Sequence, residues 1–292
     1  MGYIIATDTS SNIPTNIVEE KKILVISLSI NIGGKEYSDI NPKSYDSKKY
    51  YDFLKNGGET KTSQINPQKY VDALTPVLKD GNDVLFIGMS AGVSGSFASA
   101  VIAREQLKED FPDRKIALVD SMGASMGEGL LVLKAVKCLE DGMSLDATAE
   151  FIESERMKMA QIFTVNDLMF LRRGGRLQKT AAIVGTILHI KPILKGNEEG
   201  KIVVCDKVRG RKSVIETLAQ RYVDLAVDPQ NNIASISHCD CLEDAQKLAE
   251  LIKTKGGAKE VIIVEHEPIT GSYLGSGGLA LYFIGDSDVR LK

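Results

Sequence analysis

Three apolar runs in the first half of the chain constrain its fold most. They are "YIIATD" (3–8), "DVLFIG" (83–88) and "KIALVDS" (115–121), and each opens into glycine or small hydroxyl residues. A strand with one wet face alternates apolar and polar residues. These runs do not, so both of their faces must be covered, as in a parallel sheet with helices packed on it. The segments between them have helical character. In "INPQKYVDALTPVLKDG", Asn66 can cap, Pro67 suits the first helical position and Gly81 stops the helix. In "SGSFASAVIAREQLKEDFP", Phe97, Val101, Ile102 and Leu107 recur at helical spacing. Strand and helix alternate, which predicts a doubly wound α/β lobe with a mainly parallel sheet.

The second half reads differently. "KPILKGNEEGKIVVCDKVRG" predicts a hairpin around Asn197–Gly200, and "ILVISLSINIGGKEYSD" predicts an earlier one about Gly33 and Gly34. "DLMFLRRGGRL" reads as a short helix ending at a glycine pair, and "AAIVGTILHI" as a small apolar helix. Strands "NIASISH", "EVIIVEHE" and "GLALYFIG" alternate with helices "RKSVIETLAQRYVDLA" and "CLEDAQKLAELIKTKG". An α+β lobe with a mixed sheet follows. The expected division is 1–160 and 161–292.

Composition narrows the function. Hydrophobic residues make up 43% and charged residues 26%, with a net charge of −3 and no basic stripe, so an electrostatic grip on nucleic acid is not expected. No run is long enough to span a bilayer, so no stable membrane insertion is expected. The start, "MGYIIATDTSSN", lacks a charged region before its short apolar run, and a cytoplasmic protein is expected. Of four cysteines only Cys239 and Cys241 are close, with His238 alone beside them, so no metal site is expected.

Three loops carry hydroxyls. The first, "GMSAGVSGSF", contains G-x-S-x-G at 88–92. That pattern admits a serine hydrolase acting on acyl esters through Ser90, with Asp120 and one of the histidines as formal partners. However, an elbow helix begins directly after its nucleophile, and here small residues continue to Ser96. The same residues suit an anion cradle, in which loop amides, a helix N-terminus and hydroxyls converge. A plain capped helix, with Ser94 or Ser96 serving its own backbone, is the third reading. The second loop, "KTSQINP", places Thr62, Ser63 and Gln64 before the Asn66 cap. The third, "PITGSYLGSGG", sets Tyr273 among glycines 271, 275, 277 and 278.

"KTSQ", "SAGVSGSF", "VDS", "DLMFLRRGGRL", "KPIL" and "GSYLGSGGLALYFIG" stand in the order and spacing of the DegV family, so the chain resembles that family from Thr7 to Gly285. The resemblance implies a two-lobed fold forming one domain of about residues 3–288. It implies a long-chain fatty acid such as palmitate, stearate or oleate, held in a buried tunnel between or within the lobes. It implies no further cofactor and no catalysis by the chain alone. The role implied is that of the FakB subunit of bacterial fatty acid kinase, which presents the carboxylate to a kinase subunit of FakA type for acyl-phosphate formation. A lipid sensor or carrier without a kinase partner is the alternative. Thr62 and Ser94 match the positions that hydrogen-bond the carboxylate, and Ser63 and Gly95 adjoin them. Tyr273 stands where the family often has a histidine. Arg172 matches a head-group position, with Arg173 and Arg176 as rivals, and Arg209 resembles a kinase-docking arginine. Ile65 and Ser276 replace family prolines.

The physics suits such a ligand. Each buried methylene contributes about 0.8 kcal/mol. The carboxylate must meet donors, because an unpaired buried ion is costly.

Overall fold

A computed structural model describes residues 2–38, 45–177 and 190–292. The apolar segment 181–189, with His189, lies outside them. The described chain forms two compact units, residues 1–45 with 61–156, and 46–60 with 157–292.

In chain order the first unit contains β1 (Tyr3–Asp8), α1 (Thr15–Lys21), β2 (Leu24–Ile26), β3 (Ser29–Ile32) and β4 (Lys35–Tyr37). The second unit then claims α2 (Ser47–Lys55). The first unit resumes with β5 (Thr60–Ser63), whose first residue belongs to the excursion, then α3 (Pro67–Lys79), β6 (Asp83–Gly88), α4 (Ser96–Asp110), β7 (Ile116–Asp120), α5 (Met126–Glu140) and α6 (Leu145–Glu155). Its main sheet runs β2-β1-β6-β7, all parallel. Val84, Leu85, Phe86 and Ile87 are each fully buried. Four consecutive buried residues require cover on both faces, which is what the apolar runs demand. A small sheet, β4-β3-β5, completes the unit. Thr62 and Ser63 therefore sit on a strand, not in the loop expected there.

The second unit continues with β8 (Met159–Thr164), α7 (Met169–Arg173), β9 (Ile190–Gly196), β10 (Ile202–Arg209), α8 (Arg211–Leu225) and β11 (Ala234–His238), then α9 (Leu242–Gly256), β12 (Val261–Glu265), α10 (Pro268–Leu274) and β13 (Leu279–Ile284). Its sheet has the order β10-β9-β8-β13-β11-β12, parallel only between β11 and β12. The mixed directions follow from short connections such as the β9–β10 turn, where Asn197 N–H bonds Lys201 O at 2.9 Å. Its core gathers Leu218, Tyr222, Leu248, Ile252, Leu281 and Phe283.

Two local features depart from the sequence reading. Residues 268–274 form a helix rather than a glycine loop. Pro268 takes its first position, and the Glu267 carboxylate caps it by accepting from Ile269 N–H and Thr270 N–H. Helix α2, expected beside the first-half elements, packs with the second unit for a reason its tyrosines supply. Tyr50 Oη donates to Pro268 O and Tyr51 Oη to His266 O, both at 2.9 Å. Both side chains are buried, so their phenols need such acceptors.

Candidate functional site

In the first unit the hydroxyls gather where β5 ends and the loop after β6 leads into α4. Helix α4 starts at Ser96 with Gly95 as its cap residue, one position later than a Ser94 cap requires. Ser94 Oγ nevertheless accepts from Ser96 N–H at 3.2 Å and donates to Ser96 Oγ at 3.0 Å. Ser96 Oγ also accepts from Ile65 N–H at 3.2 Å. One buried hydroxyl thus ties the chain just past Thr62 and Ser63 to the chain carrying Ser94 and Gly95. Gln64 lies over the loop so closely that a Cβ on Gly95 would strike its Oε1. Thr62 and Ser94 are half-buried, whereas Ser63 and Gly95 are exposed.

Ser90 is not placed as an elbow nucleophile. It is 1% exposed, its Oγ accepts from Gly92 N–H at 3.1 Å, and α4 begins six residues later. Asp120, its formal acid partner, accepts from Ala91 N–H and Met122 N–H instead. A second match, "GASMG" at 123–127, escaped the sequence reading. Its Ser125 does take the strained backbone (φ 53°, ψ −145°) directly before α5, but it is 1% exposed and its Oγ accepts from Asn12 Nδ2 at 3.3 Å.

Beneath the serine loop lies a buried acid pair that sequence patterns gave no sign of. Asp8 and Glu128 are both fully buried. Asp8 accepts from Ser10 N–H at 2.8 Å and Met89 N–H at 3.1 Å, so it holds the root of the loop. Ser10 Oγ lies 2.5 Å from Asp8 Oδ1 and 2.7 Å from Glu128 Oε2. A hydroxyl has one hydrogen to donate, so the second contact needs a proton on a carboxyl. Burial raises both acids, and Glu128, which also faces the Asp8 charge, rises well above its ordinary value. We therefore place the proton on Glu128.

In the second unit, Tyr273 stands in α10 and its ring fills the space where a side chain on Gly174 would lie. The Arg176 guanidinium stacks on that ring, 4.7 Å from its centroid. Arg172, the expected head-group residue, is exposed on α7, and Arg173 lies over Phe170 at 5.6 Å. The structure therefore joins Tyr273 to Arg176 among the three arginines. Arg209 ends β10 and is exposed. His266 is 1% exposed, its Nδ1 bonded with Thr270 Oγ1 at 3.0 Å, and burial pushes its imidazole down to about 3.

Among the described residues no three His, Cys, Asp or Glu side chains are grouped to hold a metal ion, and no helix is long and apolar enough to cross a membrane. Burial raises both thiols of the C-x-C pair, Cys239 well above its ordinary value and Cys241 to about 11.

The sequence profile of the DegV family, described as an uncharacterised protein family, matches residues 3–286. The chain belongs to the DegV family. A DegV domain-containing protein of Clostridium perfringens is 36% identical to it over 285 residues, covering 98% of each chain. Among solved structures, a fatty acid binding DegV family protein from Streptococcus agalactiae is 33% identical, with a TM-score of 0.85 over 98% of this chain and 99% of the other. A DegV family protein from Thermus thermophilus, described by its fatty acid binding, is 27% identical with a TM-score of 0.87 over 98% and 100%. The parallel sheet of the first unit and the mixed sheet of the second match DegV structures.

Proposed function

We propose that this chain binds a long-chain fatty acid and presents its carboxylate to a separate kinase subunit. The likeness to the Streptococcus agalactiae protein carries the first half of this reading, because it extends over nearly the whole chain at 33% identity. The hydroxyl cluster supports it further. Thr62, Ser63, Ser94 and the Gly95 amide are neutral donors of the kind a carboxylate needs, and none is set up to attack it. Tyr273 supplies a further phenol. Of the arginines, Arg176 suits a head-group role better than Arg172, because stacking on Tyr273 fixes its plane. A tail of the length of palmitate, stearate or oleate offers about 12 kcal/mol of gross burial, from which ordering takes a large share. The acyl-phosphate step belongs to the partner. This chain's part is positioning, with exposed Arg209 as a docking contact.

Native mass spectrometry of the purified protein tests the reading. A bound species at fatty-acid mass is expected, and a chain that stays empty in excess oleate and palmitate contradicts it. Ser94→Ala and Thr62→Ala should each weaken acid binding by about tenfold, with less effect on the matching alcohol. For the partner, Arg209→Glu should abolish acyl-phosphate formation by a FakA-type kinase subunit while fatty-acid affinity stays unchanged.

A further inference from the structure

Ser96 lies outside the residues assigned to the ligand, yet its hydroxyl sits between two of the segments that carry them. It is 1% exposed, accepts from Ile65 N–H at 3.2 Å and receives the Ser94 hydroxyl at 3.0 Å. Its own N–H occupies one lone pair of Ser94 Oγ. In this arrangement the Ser94 proton is spent on Ser96. A carboxylate brings only acceptors, so Ser94 can hold it only by turning that proton outward. Ser96 then has a proton to give in return, because a hydroxyl that no longer receives Ser94 can rotate and donate to it.

We propose that Ser96 is a positioning residue, and that an arriving acceptor reverses the Ser94–Ser96 pair into the chain Ile65 N–H, Ser96 O–H, Ser94 O–H, ligand oxygen. Each bond polarises the next, so Ser94 becomes a stronger donor than an isolated serine. The result is a preference written into hydrogen-bond polarity. The head group must accept, and a charged acceptor gains most. A proline at 65 has no N–H and removes the first link. This chain has isoleucine there. The inference rests on the fatty-acid reading and adds a residue and a selection rule to it.

The test compares affinity for palmitate and for hexadecanol, by calorimetry, in the parent protein and in Ser96→Ala, Ser96→Thr and Ile65→Pro. Amide exchange at residue 65 is followed in the ligand-free parent and Ser96 variants. Ser96→Ala should speed exchange at Ile65, weaken palmitate by about tenfold and weaken hexadecanol by no more than about twofold. Ser96→Thr, which restores the hydroxyl, should return both affinities to within about twofold of the parent, and Ile65→Pro should lower the acid-to-alcohol ratio by a smaller factor than Ser96→Ala. Faster Ile65 exchange with an unchanged acid-to-alcohol ratio in Ser96→Ala overturns the relay and leaves the fatty-acid reading standing. A parent protein that binds neither compound overturns both.

Discussion

The two regions that carry the candidate ligand residues are built by opposite means. The serine loop of the first unit is held by main-chain groups and a fully buried acid pair, with Asp8 gripping Met89 N–H from below. The Tyr273 region of the second unit is held by shape: a ring against Gly174, a guanidinium across the ring, and two α2 tyrosines donating to Pro268 O at the start of α10 and to His266 O just before it. The difference teaches where each is vulnerable. A loop fixed by buried charge fails when a proton or a carboxyl is changed. A helix fixed by packing fails when a surface is changed.

The largest break in that contrast should come from Asp8→Ala, which strands Ser10 N–H and Met89 N–H in a dry site. A loss of about 3 kcal/mol or more in urea unfolding is expected. Glu128→Gln supplies the comparison, because an amide can donate to Ser10 and accept from Thr7, as the protonated acid does. It should cost less than about 1 kcal/mol. A large cost at neutral pH would mean that Glu128 is ionised and the proton count is wrong. The pH dependence separates the two forms. A carboxyl raised on folding contributes stability that is present below its unfolded value near 4.5 and is lost as pH rises through its folded value. Glu128→Gln should therefore be less destabilised by alkali than the parent.

Next in size is an acid effect in the second unit. His266 is neutral when folded, with a value of about 3, and titrates near 6.5 when unfolded. The unfolded chain therefore takes up the proton first, and stability falls as pH drops below 6.5. One such group costs about 2 kcal/mol by pH 5. Unfolding of the parent and of His266→Asn at pH 7 and pH 5 should show a shallower decline in the variant.

The smallest expected effect decides between arginines. Arg176→Ala should weaken fatty-acid binding by about three- to fivefold through loss of the stacked guanidinium. Arg172→Ala should change it by less than twofold. Equal effects would return Arg172 to the head group.

Much of this was legible in the sequence. The apolar runs 83–88 and 115–121 announced a covered parallel sheet, and Asn66, Pro67 and Gly81 bounded α3 as read. Helix α10 was not legible, because a glycine and a serine within seven residues, with more glycines directly after, argue for a loop. Its cap is Glu267, an uncommon cap residue whose use depends on the fold. The Asp8–Glu128 pair was hidden by distance, since 120 positions separate residues that share one serine hydroxyl. That Arg176, and not Arg172 or Arg173, lies over Tyr273 was hidden too, because a tertiary contact of that kind has no local signature.

The position of β13 has a consequence for synthesis. This strand follows every other described strand in chain order, yet it runs between β8 and β11 in the interior of the mixed sheet. Until residue 284 leaves the ribosome, β8–β10 and β11–β12 are two separate ribbons, each with an open edge. Nascent chains released short of that point would expose those edges to one another, so truncation before residue 279 should produce aggregation rather than a smaller working protein.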